Sequence, residues 1–128
     1  MVDQTGVGRP VFDMFERAGL SPIGVTITAG DQETRVNHSN YRVAKLLLIS
    51  RLQAALHAND LQVASELEEA ATLVKELQDF RATFSDAGHA SFNAREGAHD
   101  DLVLAVAIAA WYAEHDTRNR SQVFTYRA

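Results

Sequence analysis

The chain has 128 residues, with 12 Lys and Arg against 17 Asp and Glu, a formal net charge of −5. That balance excludes nucleic-acid binding by bulk attraction, so any DNA contact has to be local or assisted by metal ions. The absence of cysteine excludes disulfides and thiolate metal sites; with no apolar run of membrane-spanning length and no signal-peptide pattern, one globular domain in the cytoplasm is expected.

Residues 1–5 read as the end of a strand, followed by the turn-rich Thr5-Gly6-Val7-Gly8. Pro10 opens a helix in its favoured first turn, with Val11, Phe12, Met14, Phe15 and Ala18 as its apolar stripe and Gly19 as its stop. The β-branched run 22–28 is a strand bounded by Ala29-Gly30-Asp31. Residues 32–40 are polar and read as a loop. Residues 41–57 have helical periodicity through Val43, Leu46, Leu47, Ile49, Leu52 and Leu56.

Residues 61–64 alternate as a brief strand, and Ser65 with Glu68 has the spacing of a capping box. The helix announced there carries Leu67, Ala70, Ala71, Val74, Leu77 and Phe80. Residues 81–85 and 89–92, on either side of Asp86-Ala87-Gly88, predict a β-hairpin. Residues 102–113 are apolar almost all round, the mark of an interior helix, and a polar tail follows Glu114. The order predicts an α/β fold with a mixed sheet, flanking helices and a late β-hairpin. The first strand begins mid-element, as in a domain without its opening strands.

Two places carry candidate chemistry. Asp3 stands at the end of the first strand before Gly6 and Gly8, where open α/β sheets place their sites and glycines let backbone approach a ligand closely. Asp100 and Asp101 stand at the start of the apolar helix. There the helix dipole favours ionised carboxylates, which are hard ligands suited to Mg²⁺ or Mn²⁺. The plain alternatives are a turn-forming Asp3 and an N-cap at 100 or 101, although one cap needs only one carboxylate.

The segment Val2-Asp3-Gln4-Thr5-Gly6-Val7-Gly8-Arg9-Pro10-Val11 resembles the "VDxTGxGxPV" segment of phage large terminase subunits. Residues 22–28 are similar to the strand that follows it there, and Gly97-Ala98-His99-Asp100-Asp101-Leu102-Val103-Leu104-Ala105 to that family's closing acidic motif. The resemblance covers most of residues 2–111. It implies the C-terminal nuclease domain of the DNA-packaging motor, a ribonuclease H-like endonuclease that cuts double-stranded viral DNA with divalent metals held by three acids. Asp3 matches the second acid and the Asp100/Asp101 doublet supplies the third. Asp101 is favoured because it directly precedes the apolar helix, leaving Asp100 to bind a second metal, to orient a metal-bound water or to cap the helix.

By the same resemblance Lys45 and Arg42 lie near a basic helix start and are candidates to touch DNA phosphate; a solvated helix face is the plain reading. His99 is a candidate ligand or a structural histidine, His38, His57, His89 and His115 lack metal-ligand spacing, and Trp111 and Tyr112 read as core. Residues 1–115 are expected to form a partial nuclease domain and 116–128 a tail. The resemblance implies a first acid on an opening strand and an ATPase domain, and neither is found in these residues. Two functions follow as expectations: a metal-dependent endonuclease of phage or prophage origin in the bacterial cytoplasm, with portal and small terminase subunits as partners, or a non-catalytic assembly module derived from it, pairing as a homodimer through an exposed sheet edge.

Overall fold

The computed structural model describes residues 1–84, 90–94 and 100–125, with side chains up to residue 80 and over 100–116. In chain order these form β1 (Val2–Asp3), α1 (Gly8–Arg17), β2 (Gly24–Thr28), β3 (Glu33–Arg35), β4 (Asn40–Ala44), α2 (Lys45–His57), α3 (Ala70–Asp79), β5 (Phe80–Phe84), β6 (Ala90–Ala94) and α4 (Asp101–Thr125). The fold is α/β. Four strands make a mixed sheet in the order β1-β2-β4-β3, and β5 and β6 pair separately as the expected hairpin. Its turn, Asp86 to Gly88, lies outside the described residues.

β1, α1 and β2 form a parallel βαβ unit. α1 stops at Gly19, whose φ of 79° lets the N–H groups of Gly19 and Leu20 return to the carbonyls of Glu16 and Phe15.

The segment 41–57 divides where sequence periodicity predicts one helix. Asn40–Ala44 is a strand, parallel to β2, and the helix starts only at Lys45. Tyr41 and Val43 are buried while Arg42 between them is exposed, a period of two that sheet pairing exploits. The loop expected over 32–40 contains β3, whose three residues are all exposed; its Glu33 and Arg35 give the sheet a charged edge. Residues 61–64 form no strand.

The capping box does not form either. Ser65 hydrogen-bonds Glu66, whose carboxyl is held below its ordinary value first by a backbone hydrogen bond and then by that hydroxyl. α3 begins only at Ala70, and it buries Leu73 and Glu76 while Leu67 and Val74 are exposed. The polar segment after Glu114 continues α4 as far as Thr125.

The core joins Val25, Tyr41 and Val43 of the sheet to Leu48, Ile49 and Leu52 of α2, Leu73 of α3, and Val103, Ala107, Ile108 and Trp111 of α4. α4 therefore lies over the sheet face that carries Val25 and Tyr41. Among the described residues no helix is long and apolar enough to cross a membrane.

Candidate metal centre

β1 ends at Asp3, at the carboxyl end of a parallel strand. Register sets Asp3 beside Val25 and Val25 beside Tyr41. Side chains in one such row share a face, so Asp3 stands on the α4 side of the sheet. Its Oδ1 accepts the Thr5 N–H at 2.8 Å, an Asx-type turn that fixes the carboxylate locally. The Thr5 hydroxyl oxygen in turn accepts the Ile27 N–H at 2.9 Å and ties the turn to β2. Gly8 opens α1 so close to the strand that a Cβ there would overlap the Asp3 carbonyl oxygen. The glycine next to Asp3 is thus required by the return of the chain over β1.

The two aspartates at the start of α4 have separate environments. Asp100 Oδ2 accepts from Lys45 Nζ at 2.9 Å, and both side chains are 23% exposed. Lys45 also lies 5.5 Å from the centre of the Phe80 ring. Among the described hydrogen bonds neither aspartate caps α4 with its side chain. The N–H groups of Leu102 and Val103 donate instead to Glu76 Oε2, at 2.9 and 3.1 Å, so the cap comes from α3. Asp101 is exposed, and among the described residues no hydrogen bond or ion pair engages its carboxylate.

Asp3 and Asp101 meet in one cleft of about 290 Å³, walled by Met1, Leu104, Ala105 and Ile108. A water molecule occupies about 30 Å³ of liquid, so the cleft has room for an ion with several oxygen ligands. Glu76, Asp100, Asp101 and Asp3 surround or adjoin the first turn of α4. The described ion pairs set one cation, Lys45, against them. The helix terminus offsets part of the remaining negative charge. A mainly apolar cavity of similar size, lined by Leu52, Leu56, Leu77 and Phe80, brings no carboxylates together.

The other candidates fall elsewhere. Arg42 is exposed and points to the sheet face opposite Tyr41 and Val43, away from the cleft. Lys45 is occupied by Asp100. His99 lies outside the described residues, as does His89. Trp111 is fully buried, and its Nε1 donates to Glu33 Oε2 at 2.7 Å. Glu33 also faces Arg51 at 3.5 Å, so edge strand β3 is pinned to both α2 and α4. Tyr41, Trp111 and His115 pack ring against ring beside this anchor.

Glu76 is the residue that sequence patterning overlooks. Its signal is a charged side chain in the apolar row made by Leu73 and Leu77 of α3 and Phe80 just after it, where a buried carboxylate requires donors.

Among the described residues no group of three or more His, Asp or Glu is arranged to hold a metal ion. Comparison with protein-family models, curated proteins and solved structures returns no match.

Proposed function

We propose that the cleft between Asp3 and Asp101 holds one divalent cation, Mg²⁺ or Mn²⁺, and that the chain acts on phosphodiesters of double-stranded DNA. This is the activity implied by the resemblance to the nuclease domain of phage large terminase subunits, with a partial ribonuclease H-like arrangement of the sheet and α4. The observation that carries the reading is the convergence of two carboxylates from opposite ends of the chain on one cleft.

The donor set suits the ion. Mg²⁺ binds through one or two protein carboxylates and completes its octahedron with water and substrate phosphate. Among the described residues no partner engages the Asp101 carboxylate, and Asp3 keeps Oδ2 beyond its turn hydrogen bond. Asp100, held by Lys45, is a poor candidate for a second ion, so a single-ion site fits better than a paired one. A bound cation there would supply Lewis acidity toward a phosphoryl oxygen or an attacking water. The chain's own part is to hold the two carboxylates, keep Lys45 on Asp100, and wall the cleft with α4. Incubation of plasmid DNA with the chain and Mn²⁺ tests this, with Asp3→Ala and Asp101→Ala alongside. Cleavage lost in both variants supports the reading; cleavage that persists in both, or is absent from the parent, contradicts it.

A second reading rests on a different observation. Among the described residues β1 has one strand neighbour, β2, and nearby Val7 and the α1 residues Val11, Met14 and Phe15 are exposed. An open edge beside exposed apolar side chains favours an assembly module that pairs with a second copy. Sedimentation at rising concentration tests it: a dimer supports the module and a monomer throughout opposes it.

A further inference from the structure

We infer that Glu76 is a positioning residue for the metal centre, acting through the main chain of α4; the inference rests on the reading of Asp3 and Asp101 as cation ligands. Glu76 is the one charged side chain in the buried set of the described residues, 9% exposed. It sits on α3, and Oε2 alone accepts both the Leu102 and the Val103 N–H. Leu102 directly follows Asp101, so the anchor lies one peptide from the carboxylate that lines the cleft.

Burying a carboxylate is costly unless strong donors meet it. Here the donors are two N–H groups that every helix leaves unsatisfied in its first turn. The usual way to satisfy them is an N-cap side chain immediately before the helix. In this chain that place belongs to Asp100, with Asp101 the first residue of the helix, and both are turned to other tasks: Asp100 to Lys45 and Asp101 to the cleft. Glu76 takes over the capping and leaves Asp101 free to bind. It also fixes the start of α4 against α3, while the Trp111–Glu33 hydrogen bond fixes the helix further along against β3. With both anchors holding the helix, the position of Asp101, one residue before the first of them, is set relative to Asp3 by the reach of the Glu76 side chain.

Reach and charge are separable. Glu76→Gln keeps the length and one carbonyl oxygen able to accept both N–H groups, but removes the charge. Glu76→Asp keeps the charge and withdraws the acceptor by one methylene. Outer residues that orient metal ligands typically change metal affinity by about 10- to 100-fold when altered. The experiment is Mn²⁺ titration of the full chain and both variants, followed calorimetrically, with circular dichroism confirming helix content. Expected are near-parental affinity in Glu76→Gln and a loss of about tenfold or more in Glu76→Asp. Equal affinity in all three proteins, or a loss in Glu76→Gln as large as that in Glu76→Asp, overturns the positioning role while leaving the metal site standing. Absence of Mn²⁺ binding in the parent chain overturns the metal site itself, and the positioning role with it.

Discussion

Glu76 Oε2 accepts the Leu102 N–H at 2.9 Å, so the first turn of α4 is capped from another helix and not by the aspartates at its start. That relationship answers the plain reading of the Asp100-Asp101 doublet as a surplus helix cap. Each aspartate has a separate place: Asp100 beside Lys45, Asp101 in the cleft with Asp3. Both places depend on α4 being held in one position over the sheet.

The Lys45–Asp100 pair is one of the restraints on that position. It is neither fully exposed nor fully buried, so its loss should fall between the exposed and buried limits. Lys45→Ala, which strands Asp100, is expected to lower unfolding free energy by about 1–2 kcal/mol. Asp100→Asn, which still accepts a hydrogen bond, should cost less. Urea denaturation of the two variants checks the order. Mn²⁺ affinity in Asp100→Asn should stay close to parental, because Asp100 is spent on Lys45.

Trp111 is the second restraint. Trp111→Phe keeps an aromatic ring in the core but deletes the donor to Glu33, a change expected to cost about 1–3 kcal/mol from the stranded acceptor and the lost volume. Thermal melting measures it. Slower-exchanging amides of β3 should lose protection in the same variant, since Glu33 is the strand's tie to α4.

Gly8 makes a prediction about the site from outside it. A Cβ at this position overlaps the Asp3 carbonyl oxygen, so Gly8→Ala must move the start of α1 or the end of β1. The expected cost is about 1–3 kcal/mol, the range for overpacking. Mn²⁺ binding should weaken with it, because the Thr5–Asp3 turn shifts. Gly6→Ala is the control for this pair of turn glycines. Nothing crowds its Cβ position, and its positive φ of 63° predicts a backbone penalty without any steric push on Asp3.

What the sequence made legible follows from how local each signal is. The interior helix after Asp101 and the glycine-rich turn after Asp3 announce themselves over a few consecutive residues, and the structure has both. β4 was hidden because Val43 satisfies the helical spacing of α2 and the strand pattern of Tyr41-Arg42-Val43 alike; only the neighbouring β2 decides between them. Polar β3 depends in the same way on β4. Glu76 was hidden because its partners are backbone amides on a distant helix, which leave no mark in residue type. Its position within the apolar row of α3 was the available sign. The same row explains the rotated face of α3: Leu73 and Leu77, not Leu67 and Val74, turn toward the core.

The proposed site has Asp3 and Asp101 share one divalent cation. Calorimetric titration of the full chain with Mn²⁺, beside Asp3→Asn, Asp101→Asn and Asp100→Asn, tests it most directly. Expected is one binding event in the parent, weakened by about tenfold or more, roughly 1.4 kcal/mol per decade, in Asp3→Asn and in Asp101→Asn but not in Asp100→Asn. No binding in the parent, or affinity unchanged by both Asp3→Asn and Asp101→Asn, would contradict it.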